Sequence, residues 1–442
     1  MRKNAEQKGE IGFLLSTSLV VGNMTGSGIF LLPAALALYG GISIFGWVFT
    51  VAGTIFLALV FSRLSRLITK AGGPYTYSRE SFGGSAGFLV AWGYWISVWS
   101  GNAAIAVAGV GYLSTFIPAL KENQLLSAGM AIGAIWLFTY VNTKSIKKVG
   151  MVQLVTTLLK ILPLLAMGTL GFLYFNRANF VPFNISKVSD LDAITATAAL
   201  ALWAFLGLES ATIPSNQVRN PSRTIPRATL AGILVTSLLY ISSTMGVMGI
   251  IAPDMLQHSA APFADAARMV WGNWAAGLVA AGASLACFGA LNGWILVQGQ
   301  LPLAAARDRL FPPVFRTVSK KGIPVAGLII SGILATLLVG INYTRGLVDM
   351  FAFIIKLATL SCLLPYLFSS LSEVVLYLRK RKPSNNRKLL LACLTGIPAF
   401  LYSLWAITGL DKEVLLWGVI LLASGTPIYA GIKLHRNKRT SS

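Results

Sequence analysis

Two short stretches of the sequence interrupt apolar runs with residues that disfavour a continuous helix. The first is "GNMTGSG" (22–28), inside the apolar run 12–38, and the second is "WAFLGLES" (203–210), inside the run 193–213. A break at membrane depth leaves backbone N–H and C=O groups unpaired, which is tolerated only where they line a cavity or bind a ligand. We therefore predict that the two breaks form a binding site, the alternative being that their glycines only allow helices to pack closely.

The two breaks offer complementary backbone groups. Where the second half of the first run begins, Gly26, Ser27 and Gly28 are predicted to present free N–H groups at the positive end of a helix dipole, which suits a carboxylate. Where the first half of the second run ends, residues 203–206 are predicted to present free carbonyls, which suit an ammonium group. The predicted ligand is a small zwitterion such as an amino acid.

We single out three ionisable residues that fall within apolar spans, where a charge is costly and by default marks a functional site. Glu209 adjoins the second break, and we predict a coupling or gating role for it, through a response to pH or pairing with a cation, against a purely structural hydrogen bond. Lys160 is predicted to place its ammonium where a sodium ion would otherwise sit, or else to pair two helices. Three placements are open for the ammonium group of Lys356. It reaches the membrane surface, pairs with Glu209, or faces the pathway and repels a cationic substrate.

Aromatic and amide side chains are further candidates for contact with a ligand. Trp203 and Trp294 belong to spans that are predicted to line the cavity, and Asn102 is a buried amide that bonds either a neighbouring helix or the ligand. Catalysis has little support, because His258 and His435 fall outside the spans and no metal-binding or phosphate-binding motif occurs. We predict a protein that is not an enzyme and has no metal or cofactor.

The composition is that of a membrane protein. Of the 442 residues, 55% are hydrophobic and only 11% are charged, which is far less charge than ordinary soluble domains carry. The net charge is +22, and its basic residues concentrate in alternate linkers such as "KSIKK" (144–148) and "RKRKPSNNRK" (379–388), which predicts that both termini are cytoplasmic. The basic excess then faces the anionic lipid of a cell (inner) membrane, and nucleic-acid binding is disfavoured.

The chain is predicted to be one membrane transporter domain, 1–442. Its twelve predicted spans are approximately 12–38, 41–66, 85–117, 125–142, 151–174, 193–213, 228–252, 273–304, 324–341, 347–377, 388–408 and 413–432. The breaks fall in spans 1 and 6, so the broken helices cross the membrane in opposite directions. This pattern is typical of an inverted-repeat transporter with its substrate where the breaks meet. The first repeat is 12–174, the second is 193–377, and two further helices occupy 388–432.

Eight segments carry a family resemblance. They are "GNMTGSGIFLLPA" (22–34), "GGPYTY" (72–77), "GNAAIAVAGVGYLSTFIP" (101–118), "LWAFLGLESAT" (202–212), "VRNPSRTIPRAT" (218–229), "APFADAARM" (261–269), "GWILVQGQ" (293–300) and "LFPPVF" (310–315). Through them nearly the whole chain resembles the amino acid–polyamine–organocation superfamily, and within it the basic amino acid and polyamine antiporters, most closely the bacterial arginine/agmatine antiporters. The resemblance implies an all-α, LeuT-like five-plus-five inverted repeat with two C-terminal helices, sodium-independent alternating access and a homodimer.

The resemblance also implies roles for individual residues. It implies that Ser27 and Gly28 bind the substrate carboxylate and that the carbonyls of Met24, Trp203 and Leu206 bind its α-amino group. Trp294 is implied to contact a distal cation. Ser97, Val98 and Asn102 are implied to line the distal pocket. Glu209 is implied to be the pH-responsive carboxylate. Lys160 and Lys356 depart from the small or apolar residues of the arginine antiporters, and a lysine at the span 5 position resembles permeases of broader specificity.

We predict a sodium-independent amino acid transporter, an exchanger of a basic amino acid against another amino acid or its decarboxylation amine. The alternative is a proton-coupled symporter of neutral amino acids, with Glu209 or Lys160 as the proton carrier. An ion channel is disfavoured, because the spans carry single polar residues and no continuous polar lining. The predicted partners are the amino acid or amine, membrane lipid and a second copy of the chain.

Overall fold

The regular secondary structure is helical wherever the chain is described. The computed structural model describes residues 12–26, 28–68, 73–144, 160–208, 218–379 and 386–440. Two predicted site residues, Ser27 and Glu209, lie outside the described residues, as do parts of predicted spans 5 and 6. The prediction of an all-α protein is confirmed for the described part of the chain.

The sixteen main α-helices of the described residues fall eight in each half of the chain. Those of the first half are α1 (Phe13–Met24), α2 (Gly28–Ala37), α3 (Ser43–Leu67), α4 (Pro74–Phe82), α5 (Gly84–Leu113), α6 (Gln124–Lys144), α7 (160–169) and α8 (Asp190–Leu202). Those of the second half are α9 (Pro221–Ile250), α10 (Pro262–Trp271), α11 (Asn273–Arg307), α12 (Val325–Asn342), α13 (Leu347–Arg379), α14 (Asn386–Thr408), α15 (Lys412–Ala423) and α16 (Gly425–Thr440).

Nine helices in the described residues are long and apolar enough to cross a membrane. They correspond in order to predicted spans 2, 3, 4 and 7 to 12, and shorter apolar helices occupy Phe13–Gly22, Gly28–Ala37 and Lys160–Tyr174 within predicted spans 1 and 5. Span 6 is described only as far as residue 208. The count of twelve spans and the division into two repeats remain predictions.

The chain leaves the helical path between α1 and α2. Helix α1 ends at Met24. The N–H of Thr25 donates to the carbonyl of Val21 at 2.7 Å, and the Thr25 hydroxyl donates to the same carbonyl. The next N–H, that of Gly26, donates to the carbonyl of Met24 at 2.6 Å. Helix α2 then begins at Gly28 and is buried along its length. A second helix therefore starts inside the apolar run, where its first N–H groups have no acceptor one turn earlier.

The chain also leaves the helical path after α8. This helix ends at Leu202 and continues as a 3-10 turn, Trp203–Phe205, after which Leu206 is extended. Gly207 then has a φ of +99°, in the left-handed region that glycine adopts most readily. The described part of this segment ends at residue 208 with the chain already turned away from the axis of α8.

Helix α5 forms the centre of the bundle. It is buried along almost all of its length, since its many alanines and glycines allow close approach, and it packs along both α11 and α13. On the other side, α3 packs on α8 and α9, and α1 packs on α9. The outer helices α14 and α15 expose large apolar side chains such as Leu401, Leu416 and Val419. An apolar outer surface of this kind faces lipid in a membrane protein.

Candidate functional site

A cavity lies where α1, α2 and the end of α8 meet the middle of α5. Its volume is about 40 Å³, and about 490 Å³ when the space of its open mouth is counted. Its lining residues are Met24, Gly26, Gly28, Tyr94, Ser97, Val98, Gly101, Ile105, Trp203, Ala204, Leu206, Trp294 and Cys362. The lining therefore contains residues from both helix breaks, and most of the predicted substrate-binding residues meet here.

One wall of the cavity is the start of α2. The helix begins at Gly28 with no acidic residue in its first turn, so the positive end of its dipole is uncompensated there. The N–H of Gly26 is already bonded to the carbonyl of Met24, which means that two groups predicted as ligands are bonded to each other in this structure. The N–H groups of the first turn of α2 are the ones placed for an anion.

Another wall is the end of α8, where the free backbone groups are carbonyl oxygens and not N–H groups. The carbonyl of Trp203 accepts the N–H of Leu206 at 3.2 Å, and a carbonyl oxygen that accepts one hydrogen bond retains a second lone pair. The negative end of the α8 dipole points to the same place. The cavity thus has a wall suited to a carboxylate and another suited to an ammonium group.

The indole of Trp203 lies between two glycines that belong to different helices. A Cβ atom at Gly28 would be 2.5 Å from the indole Nε1, and a Cβ atom at Gly101 would be 2.7 Å from Cη2. Contacts that short do not occur, so only glycine at both positions allows the ring to sit there. Trp203 is 9% exposed, and its ring therefore extends from α2 to α5 as one side of the cavity.

Asn102 belongs to a buried polar network beside the cavity and is not among the lining residues. Its Nδ2 donates to Gln298 Oε1 of α11 at 2.7 Å. The Ser331 hydroxyl of α12 donates to the Gln298 carbonyl at 3.4 Å and accepts Trp95 Nε1 at 2.8 Å. Of the alternatives for Asn102, this structure shows the bond to a neighbouring helix, which ties α5 to α11 and α12.

Lys160 is fully buried at the start of α7. Within the described part of the chain its Nζ has no hydrogen-bond partner. Cys287 of α11 is close enough for the two groups to interact electrostatically. Burying an ammonium group without partners costs several kcal/mol, so Lys160 is the kind of costly residue that a protein retains for a function.

Lys356 lies in α13 and is not among the residues that line the cavity. Its Nζ is 2.6 Å from Asp411 Oδ2, in the short connection between α14 and α15. The lysine side chain is 11% exposed and the aspartate side chain is 59% exposed, so the pair sits at the surface end of α13. Among the alternatives stated for Lys356, the structure shows an ion pair near the surface, with Asp411 as a partner that the sequence did not suggest.

Some residues of interest were missed in the sequence. Gly101, Ile105 and Cys362 line the cavity beside predicted residues. Glu373 is 2% exposed in α13, and its Oε2 lies 3.9 Å from Arg63 Nη1 of α3. A carboxylate inside predicted span 10 (347–377) was a readable signal for Glu373. No local pattern distinguishes Cys362 or Ile105 from ordinary packing residues.

A family model described as an amino acid permease matches residues 11–430. The chain belongs to this amino acid permease family. The permease is 37% identical over 370 residues to the cadaverine/lysine antiporter of Escherichia coli, an alignment that covers 81% of this chain and 82% of that one. It is 34% identical to a Bacillus subtilis protein provisionally named an arginine/ornithine antiporter, over 96% of this chain and 97% of that one.

Two further comparisons bear on the family and on the fold, respectively. The permease is 30% identical to the putrescine transporter PotE of Escherichia coli, over 95% of each chain. Its fold is similar to that of a Na+-coupled sialic acid symporter in a substrate-bound outward-open state, with a TM-score of 0.57 and 12% identity over 95% of this chain and 91% of that one. The predicted superfamily and the predicted helical transporter fold are confirmed, and the permease is a multi-pass membrane protein.

Proposed function

We propose that this permease is an exchanger that carries a basic amino acid against another amino acid or its decarboxylation amine. The observation that carries the proposal is the cavity between two helix ends of opposite polarity, because a zwitterion needs donors for its carboxylate and acceptors for its ammonium group. The relatives named as cadaverine/lysine and arginine/ornithine antiporters support exchange of cationic substrates.

In this proposal the substrate lies between the two breaks. Its carboxylate is bound by the first turn of α2, with Ser27 and Gly28, and its α-amino group by carbonyls at the end of α8, with Trp203 and Leu206. The distal cation then reaches α11, where the ring of Trp294 provides a face for it. A cation over an indole ring is stabilised by about 0.5–2 kcal/mol.

The transport cycle is proposed to be alternating access around this fixed site. Trp203 separates the substrate from one side, and tilting of one helix bundle against the other exposes it to the opposite side. Lys160 is proposed to supply a cation within the bundle in place of a sodium ion, which makes transport sodium-independent. Glu209, beside the second break in the sequence, is proposed to respond to pH. We expect Glu209→Gln to flatten the dependence of exchange on pH. A pH profile identical to that of the wild type would show that Glu209 has no part in the coupling.

A proton-coupled symporter of neutral amino acids is the second candidate. One observation favours it: the described lining of the cavity contains no carboxylate that would pair with a distal cation. A neutral side chain would suit Ile105, Val98 and Cys362 on the same wall. In either case we propose an inner-membrane protein with cytoplasmic termini that forms a homodimer and is not an enzyme.

Counterflow in liposomes tests both functions. Purified permease is reconstituted into vesicles that contain lysine, arginine, ornithine, cadaverine, agmatine, putrescine, leucine or nothing, and entry of labelled lysine, arginine and leucine is followed. We expect cationic substrates to enter only vesicles loaded with a cationic amino acid or amine, equally in sodium and choline buffers. Leucine entry into empty vesicles that collapses with a protonophore would instead establish the symporter.

A further inference from the structure

A second cavity lies at the end of the molecule that carries most of the basic linkers. It is formed by α4, the start of α5, the end of α11 and the C-terminal helix α16. Its lining residues are Arg79, Gly84, Asp308, Arg309, Leu310, Tyr429, Ile432 and Lys433. Three basic residues and a single acidic one line it, and such an excess of positive charge attracts an anion.

The one acidic residue of this cavity is already neutralised. Arg79 Nη1 lies 2.6 Å from Asp308 Oδ2, and the hydroxyl of Tyr75 donates to the same oxygen at 3.4 Å. Burial, followed by the charge of Asp308, raises the pKa of Tyr75, so its phenol keeps the proton that it donates. In the described part of the chain, Arg309 and Lys433 take part in no ion pair.

Arg309 occupies a backbone position that disfavours it. It follows the last turn of α11 with a φ of +60°, and the N–H of Leu310 reaches back to the carbonyl of Ala305 at 2.9 Å. Helices that end in this way usually have glycine at the left-handed position, because an L side chain is strained there. An arginine at this place keeps a charge at the cavity at the expense of stability.

Tyr429, which lines the cavity, packs against a buried aromatic ring of α5. Phe88 stacks on Tyr429, with ring centroids 4.6 Å apart, and on Trp92, with centroids 5.8 Å apart. The span Lys412–Leu434, which includes Tyr429, has most of its surface exposed in the single chain. Amphipathic aromatic residues such as Tyr429 are enriched at the level of lipid head groups, and through α16 the cavity borders the exposed apolar surface of this span.

We propose that this cavity binds the phosphate group of an anionic phospholipid, with Arg309 and Lys433 as its ligands and Arg79 shared between the phosphate and Asp308. Basic pockets between helices on the cytoplasmic side of a membrane are suited to such head groups. Free phosphate has the same chemistry, but Tyr429 in the lining and the exposed apolar surface of the neighbouring span favour a phosphate that is attached to acyl chains. The proposal does not depend on which substrate the permease carries.

Lipid binding to the purified full-length permease tests this site. Native mass spectrometry in detergent measures binding of phosphatidylglycerol and of phosphatidylcholine with the same acyl chains. The variant is Arg309→Gly with Lys433→Gln, in which glycine fits the left-handed backbone. The matched control is Lys320→Gln with Lys321→Gln, which removes the same charge from exposed positions after α11. A third measurement adds inorganic phosphate to the lipid-bound permease and compares the lipid that remains bound with that in chloride at the same ionic strength.

We expect the wild type to prefer phosphatidylglycerol and the double variant to bind it about thirtyfold more weakly, with the control unchanged. If the double variant unfolds at a lower temperature, the single variant Lys433→Gln, at an exposed side chain, is expected to lose about fivefold. Equal binding of the two lipids by the wild type, or an equal loss in the control, would overturn the site. Displacement of the lipid by inorganic phosphate at a similar concentration would overturn the lipid as its ligand.

Discussion

The indole of Trp203 rests on the Cα atom of Gly28, across the gap between the end of α8 and the start of α2. A Cβ atom at Gly28 would lie 2.5 Å from Nε1 of that indole, and one at Gly101 would lie 2.7 Å from its far edge. The position of one of the two tryptophans that line the cavity thus depends on two glycines that contribute no side chain of their own.

Gly28→Ala is expected to displace the ring of Trp203 into the cavity and to weaken substrate binding at least about tenfold, a loss of ~1.4 kcal/mol. The matched control is Gly129→Ala in α6, where an added Cβ meets nothing within 4 Å. We expect that control to bind normally and to be more stable, because alanine favours a helix by about 1 kcal/mol over glycine. Scintillation proximity binding measures the affinity, and normal binding by Gly28→Ala would show that the ring has room to move.

Trp294→Ala is expected to weaken binding of lysine and arginine roughly two- to thirtyfold, as the loss of a cation–π contact predicts. Binding of a neutral amino acid should change less, because only the distal cation needs the ring. Trp417→Ala, at an exposed tryptophan of α15, removes the same side chain from the outer surface and should leave both affinities unchanged. An equal loss for cationic and neutral substrates would place the contact elsewhere on the substrate.

Lys160→Met is expected to raise the melting temperature while lowering exchange. The buried ammonium has no hydrogen-bond partner among the described residues, so an apolar side chain of similar length relieves its desolvation. Exchange should fall because the helix bundle loses the cation that takes the place of sodium. Lys121→Met, at an exposed lysine, controls for the loss of charge. A variant that is both less stable and fully active would show that Lys160 has a structural role.

Lys356→Gln is expected to keep the substrate preference of the wild type. Its ammonium pairs with Asp411 near the surface and does not line the cavity, so the substitution changes no group that a substrate contacts. Because Asp411 is largely exposed, solvent screens the pair and it contributes about 0–1 kcal/mol. The melting temperature should therefore fall only slightly, as it should in Asp411→Asn. Competition of lysine and leucine for labelled substrate measures the preference, and a shift towards cationic substrates would place Lys356 on the pathway.

Arg63→Met is expected to destabilise the permease more than Glu373→Gln does. Besides facing Glu373, Arg63 Nη1 donates to the carbonyl of Leu391 at 2.6 Å and to the hydroxyl of Thr395 at 3.1 Å. Loss of Arg63 removes the ion-pair partner of a buried carboxylate, which costs about 3–5 kcal/mol. Glu373→Gln leaves no buried negative charge, because the glutamine side chain is neutral. Thermal unfolding in detergent ranks the variants, and a larger loss in Glu373→Gln would show that the carboxylate is the dominant partner.

Much of the cavity could be predicted from the sequence because its backbone is unusual. The glycines and polar residues at 22–28, and the turn after Trp203, are local signals of a helix end within an apolar run. Those signals indicated where the two helix breaks lie and therefore which residues meet. They did not indicate that the N–H of Gly26 would bond to the carbonyl of Met24, since a turn of that kind depends on the whole local path.

The sequence by itself determined the membrane character of the chain, the order of its apolar runs and the two places where a helix ends inside one, because hydropathy and backbone preference are local properties. The tertiary structure alone decided that Asn102 bonds Gln298, that Lys356 pairs with Asp411 and that Trp203 lies between Gly28 and Gly101. Those partners are distant in the chain. Which face of a helix meets which neighbour follows from the packing of all the helices together, and no window of sequence contains that information.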